Sequence, residues 1–188
     1  MRYSIVIPIY DPEGKNEAMT ASCISNVLKN SSDYEYELLP IYHKNLNYST
    51  AVNLGLRRTT GDYIVILSND VEVHDPKWLE KYSQNDGITS FNHYPFYLTG
   101  EIVPDASCFG MDRVTFNKLG YLDEIFKDGY GYEDTDYWFR CKELGIPFST
   151  VRMDIVHKEN QTFKTYFSSE KEAMTEKNKQ LFVKKWNL

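Results

Sequence analysis

The chain has 188 residues, enough for one sizeable core and too few to require two; 41% hydrophobic and 26% charged residues mark a folded globular protein, not a disordered or fibrous one. Against 27 acidic residues stand 21 Lys and Arg, a formal charge of −6 without a local basic stripe, which argues against a nucleic acid as main partner and towards small-molecule chemistry. Cys23, Cys108 and Cys141 lie far apart with no C-x-x-C pair, as expected of reduced core thiols in a cytoplasmic compartment, and no segment reaches the roughly 20 apolar residues of a spanning helix.

Residues 4–10, SIVIPIY, form a β-branched, continuously apolar run ended by DPEG, the pattern of a strand buried on both faces. From Asn16 to Asn30, Met19, Cys23 and Val27 recur at helical spacing, and ELLPIY (37–42) reads as a second strand, so the chain opens with a β-α-β unit. A helix over about 49–58 is closed by the Thr-Gly-Asp turn, and YIVIL (63–67) is the third buried strand, running straight into Ser68-Asn69-Asp70. Asp75-Pro76 opens a short helix through Trp78, Leu79 and Tyr82. Residues 88–110 alternate in places and predict strands of a mixed or antiparallel portion; Asp112 then caps a helix that ends at Leu119-Gly120. Two glycines precede the acidic cluster of Glu133, Asp134 and Asp136, where a helix carrying Trp138, Cys141 and Leu144 starts and Gly145 stops it. IPFSTVRMDIVH reads as a last strand and 169–186 as a terminal helix, and no repeat or linker divides this single domain, 1–188.

In an open α/β sheet, ligands bind outside the carboxyl ends of the strands. Asp70 projects from such an end as a hard oxygen donor suited to Mg²⁺ or Mn²⁺ on a diphosphate, although an isolated Ser-Asn-Asp also makes an ordinary Asx turn. His157 closes the last predicted strand and reaches the same edge by the same reasoning, whereas His43, His74 and His93 lack that context. Three crowded carboxylates at a helix mouth suit capping or proton abstraction: mutual repulsion raises their pKa values while the helix dipole lowers them, so the net sign stays open. The chain has no G-x-G-x-x-G after its first strand, no G-x-x-x-x-G-K-[ST], no G-x-S-x-G and no H-E-x-x-H, which removes the main support for dinucleotide, P-loop, hydrolase-elbow and zincin readings.

Four segments in order, SIVIPIYD, NLNYSTAVNLGLRRTTGDYIVILSNDVEV, CFGMDRVTFNKLGYLDEIFKDGYGYEDTDYWFRCKELG and IVH, resemble the family 2 glycosyltransferases of GT-A fold, in particular a rhamnosyltransferase-like branch of polysaccharide enzymes. The resemblance spans about residues 3–160 and implies an α/β fold with a central, mostly parallel mixed sheet flanked by helices. It implies transfer of a sugar from a nucleoside-diphosphate sugar to a hydroxyl of a glycan or other acceptor, by one inverting displacement assisted by Mn²⁺ or Mg²⁺. Asp70 stands where the family's D-x-D motif binds metal, with Asn69 beside it in the donor site, and His157 matches a late histidine that adds a metal ligand. Asp134 matches the catalytic base, with Glu133 and Asp136 orienting it or touching the acceptor; Pro8, Ile9 and Tyr10 match the edge that holds the nucleobase, and Asn53 a helix facing the donor.

The chain departs from the family at Ser68, in place of the first motif acid, at Val52, in place of an arginine, and in the loop PIYHKNLNYS, where His43, Lys44 and Asn45 replace an acidic segment. Ser68 and the altered loop motivate an alternative of another class, a non-catalytic nucleotide-sugar or glycan binding domain. Nucleotidyl transfer is disfavoured because the glycine-rich phosphate loop is missing. The expected location is cytoplasmic, free or peripheral at a membrane through the acceptor or a partner.

Overall fold

A computed structural model describes residues 1–43, 48–158 and 161–188; Lys44 and Asn45, expected near the nucleobase, lie outside the described residues. Strand β1 (Arg2–Ile9) sets the two faces of the core. Val6 packs with Ile64 and Ile66 on one side of the sheet, while Ile5, Ile7 and Ile9 pack with Val65 and Leu67 on the other, as the two-residue period of a strand requires. Helix α1 (Glu17–Asn30) leads to β2 (Glu35–Tyr42), parallel to β1; α2 (Tyr48–Leu56) leads to β3 (Tyr63–Leu67), parallel to the other side of β1. Gly55 lets α2 lie close on the sheet, since a Cβ there would come within 2.3 Å of Val6 Cγ1. The first connection thus runs from β1 outward to β2 and the next crosses back past β1 to β3, and a crevice opens at the carboxyl ends of β1 and β3.

Strand β4 (Val71–Val73) and helix α3 (Trp78–Ser83) follow, then β5 (Ile88–Ser90), the hairpin of β6 (His93–Pro95) with β7 (Ile102–Pro104), and β8 (Cys108–Asp112). Asp112 caps α4 (Arg113–Leu119) by accepting the Thr115 N–H at 2.7 Å, and Gly120 closes that helix at φ 77°. A 3₁₀ turn (Glu124–Phe126) precedes α5 (Glu133–Glu143), which stops at Gly145 as expected. The chain ends in β9 (Phe148–Thr150), β10 (Ile155–His157), α6 (Gln161–Tyr166) and α7 (Lys171–Trp186). The main sheet has the order β2-β1-β3-β8-β5-β9, parallel except that β8 runs antiparallel to both neighbours. Among the described residues no helix is long and apolar enough to cross a membrane.

The expected last strand is two strands. β9 pairs with β5, whereas β10 pairs antiparallel with β4. Between them the Val151 N–H still donates to Ser90 at 2.9 Å, and Asp154 already accepts from the His74 N–H at 2.9 Å, so the chain crosses from one sheet to the other. The short helix expected to open at Asp75-Pro76 begins at Trp78, because the Asp75 carboxylate is used in a turn with the Lys77 N–H, 2.9 Å away. The terminal helical region carries an additional element, α6, and α7 packs Phe182 against Phe96, Phe139 and Tyr132 with ring centroids 5.1–5.4 Å apart.

Candidate active site

A cavity of about 400 Å³ occupies the crevice beyond β1 and β3, a size suited to small ligands. Pro8, Ile9 and Tyr10 line it from the end of β1, and Ser68, Asn69 and Asp70 from the end of β3. Tyr10 is braced by Tyr166 and Phe167, with ring centroids 5.5 and 5.6 Å away. A turn closed by the Val71 N–H on the Ser68 carbonyl at 3.1 Å sends the chain into β4, whose pairing with β10 places His157 opposite Val71. His157 Nε2 thereby stands 3.4 Å from Asp70 Oδ1, while Asp70 Oδ2 accepts the Gln161 N–H at 3.1 Å. Burial pushes the Asp70 carboxyl up, but the contact with His157 and the backbone N–H groups outweigh it, and its pKa lies below the ordinary value. Asn69 is held between helices, its Nδ2 donating to Thr20 Oγ1 at 2.9 Å and its Oδ1 accepting from Thr162 at 3.4 Å.

The first turn of α5 supplies another wall. Gly131 and Tyr132 have φ of 72° and 73°, and the second, lacking glycine's freedom, costs about 1–2 kcal/mol of backbone strain. Ring contacts to Phe182 and Phe96, and a hydroxyl contact with Tyr97, hold Tyr132 there. α7 fixes the preceding loop: Asn178 Nδ2 donates to the carbonyls of Phe126 and Gly131 at 2.9 and 2.8 Å. The result presents Glu133 and Asp134 to the cavity. Asp134 Oδ1 accepts the Thr135 N–H at 2.8 Å, so it satisfies an orphan donor inside the first turn, although the N-cap position belongs to Tyr132. Glu133 Oε2 is buried without a hydrogen-bond partner. Burial raises both carboxyls; the neighbouring Asp134 charge raises Glu133 further, and Asp105 does the same to Asp134, against the backbone N–H groups that lower it. The sign left open by the sequence is therefore upward.

The structure does not bring Asp136 or Asn53 to the cavity. Asp136 is fully buried: it receives Trp186 Nε1 at 2.9 Å and Lys185 Nζ at 2.6 Å on Oδ1, and Arg140 Nε at 3.2 Å on Oδ2, so it ties α7 to α5. On a helix two residues are about 200° apart, so Asp134 and Asp136 face opposite ways. Asn53 bonds the backbone of Leu122 in both directions at 2.9 Å and donates to Glu124, fastening α2 to the segment before α5.

Four lining residues lacked a sequence signal. Tyr94, in the hairpin, directs its hydroxyl to the Asp134 carboxylate, whose charge, with burial, holds the phenol well above its usual range. Asp105 accepts Ser107 N and Oγ at 2.8 and 2.6 Å. Tyr48 donates to the Ala106 carbonyl at 3.3 Å, and Tyr130 closes the side near Glu133. Each comes from a segment whose place over the cavity is set by tertiary packing alone.

The donors at Asp70 fit a divalent cation shared with a ligand. One carboxylate oxygen and one imidazole nitrogen 3.4 Å apart can serve one ion, and the Gln161 N–H orients the carboxylate from behind. Among the described residues no cluster of three acidic, histidine or cysteine side chains is placed to hold a metal, so the remaining positions would fall to oxygens of a ligand and water.

The sequence pattern described as glycosyl transferase family 2 matches residues 40–85, which include α2, β3 and Asp70. No curated protein sequence matches the chain significantly. Among solved structures, a mutant of Drosophila β1,4-galactosyltransferase 7 in complex with manganese, UDP-Gal and xylobiose superposes with a TM-score of 0.68 at 14% identity, over 92% of this chain and 79% of that one. The mannosyltransferase PcManGT from Pyrobaculum calidifontis, in complex with GDP-Man and Mn²⁺, superposes with a TM-score of 0.59 at 15% identity, over 80% of this chain and 55% of that one. At such identities the likeness concerns the fold, and it bears out the expectation from the sequence: the chain has a GT-A fold.

Proposed function

We propose that the chain is a family 2-like glycosyltransferase that moves a sugar from a nucleoside-diphosphate sugar to a hydroxyl of a glycan or other acceptor, with inversion. The observation that carries this is one cavity at the β1/β3 crevice that holds a metal-suited pair, Asp70 and His157, and a reluctant acid pair, Glu133 and Asp134. The local match over residues 40–85 and the manganese and nucleotide-sugar complexes of the structural neighbours agree with it.

In this mechanism the end of β1 at Pro8, Ile9 and Tyr10 receives the nucleobase, and Asp70 with His157 would hold Mn²⁺ or Mg²⁺. When bound, that ion supplies charge neutralisation for the departing diphosphate. Asp134 takes the proton of the acceptor hydroxyl as its oxygen attacks the anomeric carbon; a carboxyl held above its ordinary value by burial is a better base than an ordinary one. Tyr94 steadies the Asp134 carboxylate, and Glu133 adjusts its affinity for the proton. The rhamnosyl leaning belongs to the resemblance and is left to the donor screen.

The experiment is hydrolysis and binding of UDP-, GDP- and dTDP-sugars with Mn²⁺, Mg²⁺ or EDTA. Metal-dependent turnover of one donor class is expected. Metal-dependent binding with no turnover in the presence of any acceptor would favour the non-catalytic binding domain, for which Ser68 in place of a motif acid speaks; no binding at all would refute both.

A further inference from the structure

The backbone that aims Asp134 at the cavity is held from outside it. Gly131 and Tyr132 both take a left-handed φ, and at Tyr132 the side chain makes that conformation costly, so it persists only where its surroundings over-determine it. Much of that support comes from α7, whose Met174, Asn178 and Phe182 recur at four-residue spacing along one face. The Met174 carbonyl accepts the Tyr130 N–H at 3.1 Å. The Asn178 amide spans the loop by donating to the Phe126 and Gly131 carbonyls, and the Phe182 ring centre lies 5.3 Å from that of Tyr132. Asn178 and Phe182 are fully buried, and Gly129 leaves room for the amide, since a Cβ there would come within 2.1 Å of Asn178 Oδ1. Among the described lining residues none belongs to α7.

An apolar side chain at position 178 would fill the same space, but only directed hydrogen bonds fix where the two carbonyls stand. We propose that Asn178 and Phe182 are positioning residues for the transfer step: this face of α7 holds residues 129–132 in the backbone path from which Asp134 reaches an acceptor hydroxyl. The inference rests on Asp134 as the base. Misplacing a reacting group by about 1 Å can cost about 100-fold in rate. The donor walls are fastened separately, Asp70 by the Gln161 N–H and Tyr10 by the Tyr166 ring, so disturbing the α7 face should leave them in place.

The test is kcat and donor affinity of Asn178→Ala and Phe182→Leu, each made alone and together with Asp134→Glu, which keeps a carboxylate but displaces it by one methylene. The full chain is used below its melting range with Mn²⁺ and whichever UDP-, GDP- or dTDP-sugar it hydrolyses. Asn178→Ala is expected to lower kcat about 30-fold while donor affinity stays within about twofold. In the Asp134→Glu chain the same change should cost less than about threefold, because the geometry it protects is already lost. Phe182→Leu should show the same pattern with a smaller loss, and it decides the matter if Asn178→Ala does not fold. An unchanged kcat, a parallel fall in kcat and affinity, or losses that multiply in the Asp134→Glu chain would overturn the inference. The proposed function then stands, provided Asp134→Asn still removes turnover. Full turnover in Asp134→Asn, or no turnover of any donor by the unmodified chain, overturns the base assignment and this inference with it.

Discussion

Asp70 and Asp134 are aspartates of the same cavity held in opposite electrostatic states. Asp70 has an imidazole 3.4 Å away and a backbone N–H on its other oxygen, and its pKa is lowered despite burial. Asp134 also accepts a backbone N–H, but its charged neighbours are Glu133 and Asp105, and its pKa is raised. Burial acts upward on both, so the sign is decided by what stands beside each carboxylate. On the proposed reading, one wall keeps its charge and would hold a cation, while the other takes a proton.

The strongest way to break this division is Asp134→Asn, which keeps the shape and removes the proposed base. Turnover is expected to fall about a thousandfold with an intact fold, measured by product formation at saturating donor. Asp136→Ala is the sharpest control, because it deletes a carboxylate from the same helix that does not face the cavity. It should cost about 3 kcal/mol of stability by stranding Lys185, Arg140 and Trp186 Nε1, read by chemical denaturation, with little change in donor affinity below the melting range. Asp70→Asn should weaken metal-dependent donor binding about 30-fold while leaving metal-free binding of the nucleotide nearly unchanged, by titration with and without EDTA.

The smallest effect concerns pH. Because Glu133 has a raised folded pKa, its contribution to stability is fully present below the ordinary carboxylate value and is lost as pH rises through the folded one. The ligand-free protein should therefore lose stability as pH rises from the ordinary carboxylate range towards neutrality. Glu133→Gln should flatten that slope by about 1 kcal/mol, followed as melting temperature against pH.

The same contrast explains what was legible in the sequence. β3 was readable to the residue, since YIVIL is continuously apolar and buried on both faces, and Asp112 and Gly120 announced the ends of α4 through capping chemistry that acts within a few residues. Asp70, His157 and Asp134 could be placed because strand ends and a helix start fix them locally. Asp136 was grouped with its neighbours by charge, although the helical period already turned it away; its partners Lys185 and Trp186 are some 50 residues on and invisible to local patterns. Tyr94 and Asp105 reach the cavity through a short, largely exposed hairpin, and α6 owes its place to contacts with Asp11, Asn16 and Asn69. Such long-range pairings carry no signature in either segment alone.

The division of labour between the two walls is tested most directly by one paired titration: nucleotide-sugar binding in the presence of Mn²⁺ to Asp70→Asn and to Asp134→Asn. The account predicts that Asp70→Asn loses affinity while Asp134→Asn binds donor as the unmodified chain does. Loss of binding in both, or retention in both, would contradict it.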